Sequence, residues 1–351
     1  MQVGHMQETT KVQLGERDFA IDATRGIAIV AVVLFHVTRG FESAGWLSSS
    51  YALSFADSFA YSFHVPTFLL ISGYLAFPKA GDIRFQLQRQ VWLYHAYLLW
   101  SLVSWVLVAT MNSAVNNPVS LHDLLLMPVV PIQHFWFLLS LMLGIAMLFL
   151  LRTAWALLAG ILVALAVTPL LAGLPAPLGG MNSLCMVLIG GLIRVSGMTP
   201  KASLPAAILC IAVMVGTLWL RMTPSGPTDL FPAARLLMAL LGCYAAYSFA
   251  SAAGNGRAGA ILAYFGQHTM VIFLLHVIAG SGLRVILSRM VPGLDASIGI
   301  LLVLIASFAL PLIFEWMVAR VGAEGLLGLK PLFFNKRAAS PTAIDPAPAS
   351  S

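Results

Sequence analysis

Arg25 and His36 stand eleven residues apart in an otherwise apolar stretch. On a helix that separation is about three turns plus 20°, so both side chains fall on one face, roughly 16 Å apart along the axis. An imidazole titrates near neutrality and can take a proton from a hydroxyl, and a guanidinium offers a permanent charge and a planar fork of donors. Asp22, three residues before Arg25, is placed to pair with it on the helix surface. The other reading of the same residues is an arginine snorkelling to a membrane interface and a histidine hydrogen-bonded inside a helix bundle.

Further groups follow along the chain. The stretch FHVPTFLLISGYL at 63–75 contains His64, Pro66, Ser72 and Gly73. Pro66 frees a backbone carbonyl one turn earlier and Gly73 permits close helix contact. Ser72 has no base at local spacing and reads as a packing residue before a nucleophile. Lys79, Arg84 and Arg89, with Gln86 and Gln88, form a basic stretch suited to a polyphosphate or to a membrane-topology role, and Arg89 opens an apolar run. His134 begins another, as a wall of a substrate mouth or as an anchor beside the belt residue Trp136. His268 and His276 are eight residues apart, which places them about 80° apart around a helix, so they need not share a target. Glu315 is a late carboxylate in an apolar run and requires a partner such as Arg or protonated His. No glycine-rich phosphate loop, Gly-x-Ser-x-Gly elbow or His-Glu-x-x-His occurs. Cys185, Cys210 and Cys243 lie in apolar runs without metal-ligand spacing, so no metal site is expected and they read as small core residues.

The elements that must position these groups are membrane helices. Hydrophobic residues make up 60% of the 351 and charged ones 9%, with a mean hydropathy of +0.91, where soluble domains carry about a quarter charged residues. Apolar runs long enough to cross a bilayer fall near 22–41, 57–77, 89–110, 134–151, 154–173, 181–197, 204–221, 231–251, 260–280 and 297–319. The fold class expected is an all-α polytopic bundle of about ten spans. An N-in, C-in arrangement puts fourteen of the 19 basic residues on the cytoplasmic side and leaves Arg39, Arg221, Arg235, Arg284 and Arg289 outside. The net charge of +6 is spread singly between spans and does not suggest nucleic acid. Three parts are expected: a cytoplasmic segment at 1–21, a membrane domain at 22–321 and a cytoplasmic tail at 322–351, disordered from 335. The first span reads as a retained signal anchor, and Leu121–Met127 as a short interfacial helix. No internal repeat is evident, which disfavours transporter folds built from duplicated halves.

These residues resemble the acyltransferase-3 family of membrane acyltransferases, which O-acylate carbohydrates of bacterial envelopes. The resemblance rests on Asp22-x-x-Arg25-Gly26 with Arg25-x10-His36, on residues 63–75, on Trp136-Phe137, and on FGQHTMVIFLLH at 265–276. It implies a ten-helix domain of the bacterial inner membrane that takes an acyl group, usually acetyl, from cytoplasmic acyl-CoA as donor substrate, with no bound cofactor. The acceptor implied is a carbohydrate or lipid-linked carbohydrate, with membrane lipids around it and polysaccharide assembly machinery as a possible partner. His36 and Arg25 match the family's essential pair, His36 as general base or in acyl transfer and Arg25 in positioning the donor. Many members carry two arginines three apart at the start of the third span; here Gln86 and Arg89 stand there, leaving Arg84 as the residue to supply the missing charge. The alternatives are a transporter or flippase for a sugar-linked lipid or small solute, with the histidines as a proton relay, and an acyltransferase acting on a non-carbohydrate acceptor.

Overall fold

Asp18 starts the first helix by accepting hydrogen bonds from the backbone N–H groups of Ala20 and Ile21, which satisfies two of the donors that any helix start leaves open. From there the computed structural model describes residues 18–110, 118–171, 173–175, 178–223 and 230–331. They form α1 (Phe19–Ser43), α2 (Tyr51–Tyr61), α3 (His64–Ala76), α4 (Ile83–Thr110), α5 (Leu121–Leu126), α6 (Trp136–Leu150) and α7 (Ala154–Leu171). The second half continues with α8 (Met181–Val195), α9 (Leu204–Arg221), α10 (Pro232–Ala253), α11 (Arg257–Gln267), α12 (Thr269–Met290) and α13 (Ala296–Arg320). Among the described residues there are ten helical segments long and apolar enough to cross a membrane, α2 and α3 together making one of them. The expected all-α polytopic bundle is therefore what the chain forms. The expected disorder beyond 335 and most of the N-terminal segment lie outside the described residues.

Three boundaries differ from expectation. The third span begins at Ile83, six residues before the expected 89, so Arg89 lies inside α4 and does not open it. The second span extends back to Tyr51 and breaks at Ser62–Phe63, where a single kinked helix was expected over 57–77. Pro66 then sits in the first turn of α3, where a missing N–H costs nothing, and His64 Nδ1 bonds the Ala60 carbonyl (2.6 Å) across the break. The ninth span is Thr269–Met290 instead of 260–280, because the chain turns at His268 and leaves α11 as a separate short helix. The short helix expected at Leu121–Met127 is present as α5, its start closed by a reciprocal capping box between Ser120 and Asp123.

α1 is the centre of the bundle, packed against α3, α10, α11, α12 and α13. Its crossing with α11 is a backbone contact: a Cβ at Gly26 would stand 1.9 Å from the Leu262 carbonyl oxygen, and one at Gly266 would stand 1.8 Å from that of Asp22. α3 and α8 approach in the same way through Gly73 and Gly190. The expected role of Gly73 is thus met. Hydrophobic side chains such as Trp155, Leu170 and Phe231 point outward, as a lipid-facing surface requires. After α13 the chain folds back along α4, where Trp92 and Trp100 donate their indole N–H groups to the carbonyls of Gly328 (2.8 Å) and Leu327 (2.9 Å).

Candidate functional site

Three histidines from distant parts of the chain meet in the interior. The rings of His36 on α1 and His276 on α12 have centroids 5.0 Å apart, and His134, just before α6, lies 5.9 Å from the first and 5.2 Å from the second. Backbone carbonyls set two of the three tautomers. His276 donates its Nδ1–H to Ile272 and Phe273 (2.9 Å each), and His134 donates its Nε2–H to the same Phe273 carbonyl (3.1 Å). The opposite nitrogens, His276 Nε2 and His134 Nδ1, are buried without a partner. With one nitrogen acting as donor, the other carries a lone pair. His36 makes no hydrogen bond with the described residues and is only half-buried.

His134 reaches this position through strained backbone. Gln133 has φ = 50°, the one positive φ outside glycine among the described residues, and such strain persists where surrounding structure fixes it. Ser104 Oγ donates to Gln133 Oε1 (2.9 Å) and holds it. A short 3-10 turn, Gln133–Phe135, then delivers His134 inward.

Two members of the cluster, His36 and His134, form part of the wall of a cavity of about 520 Å³, which is also lined by His64, Gln133, Phe273, Arg39 and Arg284, while His276 faces a small adjoining recess. His64 thus shares the site with His36 and His134. Arg39 binds Asp57 in a bidentate pair (2.7 and 2.8 Å) and stacks over Tyr61. Arg284 is 7% exposed and has neither an ion pair nor a hydrogen bond among the described residues. Sequence reading assigned Arg39 and Arg284 to outer topology and passed over Gln133. The missed signal was that Arg289, five residues later and exposed, is already available for the interfacial position.

A second group lies toward the start of α1. Arg25 Nη1 is 3.7 Å from Asp22 Oδ1, whose other oxygen is buried and unpartnered. Arg89 stacks over Trp92 at 4.7 Å and lies within the repulsive field of Arg25. Gln86 explains the departure from two arginines: its amide donates to the carbonyls of Ala80 (2.9 Å) and Ile145 (3.0 Å), tying α4 to α6. Arg84 remains exposed, and its side chain has no partner among the described residues.

The remaining candidates lie apart from the cavity. Glu315 finds the basic partner its position requires in His268, at 2.5 Å, and the two histidines eight residues apart serve separate ends, as their helical offset suggested. Ser72 lies outside the cavity lining. Among the described residues no group of three His, Cys, Asp or Glu side chains is arranged to hold a metal ion.

Residues 18–316 match the model of the acyltransferase-3 family, described as an acyltransferase domain. No match was found among curated proteins or among solved structures.

Proposed function

Because this chain belongs to the acyltransferase-3 family and is a multi-pass membrane acyltransferase, we propose that it moves an acyl group, acetyl first, from cytoplasmic acyl-CoA to a sugar hydroxyl. The acceptor is an envelope glycan or exopolysaccharide, free or lipid-linked, and the membrane is the bacterial inner membrane with both termini inside. The observation that carries this reading is the meeting of His36, His134 and His276 beside a cavity that His36 and His134 line, with two buried lone-pair nitrogens and no carboxylate among the described residues of the lining.

In this reading His36 takes the proton of the acceptor hydroxyl as its oxygen attacks the thioester carbonyl. The C–O bond forms, the C–S bond breaks, and the proton passes from the imidazolium to the departing CoA thiolate. His134 and His276 hold His36 by edge-to-face contact and present acceptor nitrogens to hydroxyl or imidazole N–H groups. Arg25 and Arg89 form the donor end, where two like charges in proximity favour an anion between them, such as the phosphates of CoA. Arg84, from its exposed position, adds to that field. The donor's acyl arm then runs along α1 over the roughly 16 Å between Arg25 and His36.

The family match supports acyl transfer over the transporter reading. The test is the O-acetyl content of envelope glycans in a deletion strain and its parent. Loss of O-acetyl groups, restored by the wild-type gene but not by His36→Ala, is the expected result. Unchanged O-acetylation together with reduced glycan export or solute uptake would favour transport instead.

A further inference from the structure

The cavity has an electrostatic asymmetry that acyl transfer to a plain hydroxyl does not require. Among the described residues its lining includes Arg39, Arg284 and the histidines His36, His64 and His134, but neither Asp nor Glu. Arg39 is neutralised by both oxygens of Asp57. Arg284 is not neutralised: it is 7% exposed and has no ion pair or hydrogen bond among the described residues. A guanidinium stays charged in a protein, and one set in a cavity wall without a counter-ion favours an anionic ligand. Arginines near span ends commonly reach lipid headgroups, but Arg284 is buried and Arg289, five residues further on, is the exposed one.

The placement of Arg284 relative to His36 is equally specific. Its Nε lies against Gly40 of α1, 3.7 Å from where a Cβ on that glycine would stand. Gly40 is about 6 Å, one helical turn, beyond His36. Arg284, His36, His276 and Ser281 also line a narrow recess that adjoins the main cavity. A negative group held at Arg284 would therefore sit within about one pyranose ring of the imidazole that receives the hydroxyl proton.

We infer that Arg284 is an anion subsite for the acceptor, so that the preferred sugar carries a carboxylate or a phosphate on the ring that is acylated or on its neighbour. This rests on the acyltransferase reading above and adds the charge class of its substrate. In that role Arg284 is a specificity residue: it fixes which hydroxyl reaches His36 and leaves the chemical step to the histidines.

The test uses purified full-length protein in nanodiscs, with three probes: a methyl hexuronide, the corresponding methyl hexoside 6-phosphate, and the neutral methyl hexoside. Binding is read without donor, as ligand-induced thermal stabilisation. Acyl transfer is then read with labelled acetyl-CoA. Wild type is expected to bind at least one charged probe about tenfold or more tightly than the neutral one, the range of a charge-assisted hydrogen bond. Arg284→Gln is expected to lose that preference, and Arg284→Lys to retain part of it, which guards against a merely misfolded Gln variant. A preference for the hexuronide or for the phosphate identifies the source of the anion. Equal binding of charged and neutral probes by wild type, no binding of either charged probe, or an unchanged preference in Arg284→Gln overturns the inference. Transfer without charge preference leaves the acyltransferase reading standing, and charge-dependent binding without transfer to any carbohydrate leaves only the subsite.

Discussion

At the scale of single residues, the account separates groups that react from groups that hold. His36 is the half-buried member of the histidine cluster and its side chain is not committed to a backbone carbonyl, so His36→Ala is expected to lower the turnover rate by about 10²- to 10⁴-fold, the usual worth of a general base. Arg25→Ala is expected to raise KM for acetyl-CoA more than it lowers kcat, and steady-state kinetics with varied donor separates the two. His268 is a structural case. It bonds Glu315 at 2.5 Å with both side chains about a quarter exposed, so His268→Ala should cost roughly 1–2 kcal/mol of stability with little change in kcat. Thermal unfolding of the two single variants and the double variant would show coupling if the pair is the cause. The Arg25–His36 pair was legible from spacing alone. His134 and His276 were visible only as separate candidates, because their meeting depends on the tertiary approach of α1, α12 and the turn before α6. The burial of Arg284 was not visible for a related reason: a charge count sorts residues by side of the membrane and does not distinguish an inward-facing arginine from one at the interface.

At the scale of elements, the approach of α1 and α11 determines where Arg25 and the N-terminal half of the site sit. A Cβ at Gly266 would overlap the Asp22 carbonyl oxygen at 1.8 Å, and the atom it meets is backbone, which cannot swing aside. Gly266→Ala should therefore destabilise by about 1–3 kcal/mol or more, as overpacking does, read as lower yield and lower thermal stability in detergent. Gly282, with nothing within 4 Å of such a Cβ, is the matched position at which Gly282→Ala should fold normally. On α5 the Asp123 carboxyl is held below the usual carboxylate range by its hydrogen bonds from Ser120. A depressed folded value means that this cap is fully present above the unfolded carboxylate range and is lost as the pH falls through the folded value. Amide protection factors over 120–126, taken relative to the intrinsic exchange rate at each pH, should fall on acidification in wild type, and an Asp123→Asn variant should lack that pH-dependent step. The sequence showed the existence of α5 through its amphipathic stretch, and it showed nearly every span. It did not show the breaks at Ser62–Phe63 and His268, since each lies between apolar stretches, and the few polar residues there, Ser62, Gln267, His268 and Thr269, do not by themselves interrupt a helix.

At the scale of the whole molecule, composition settled the class of protein, and the folded chain adds a division of labour by depth. Arg25 and Arg89 gather near the start of α1, the histidines gather about three turns deeper, and Arg39 and Arg284 line the cavity beyond them. The fold-back of Ala323–Leu329 against α4 was not legible, because it depends on indole donors meeting backbone carbonyls that hydropathy does not register. The proposed N-in, C-in orientation predicts that a single cysteine placed at Ser196, after α8, is labelled by a membrane-impermeant maleimide only in inside-out vesicles. The central claim is that one face of α1 joins a cytoplasmic donor to an acceptor at the histidine cluster. Its most direct test supplies labelled acetyl-CoA to the cytoplasmic face of inside-out vesicles that contain the glycan acceptor, and follows label in the glycan. The account predicts transfer by wild type and almost none by His36→Ala expressed to the same level. Equal labelling by the two would contradict it.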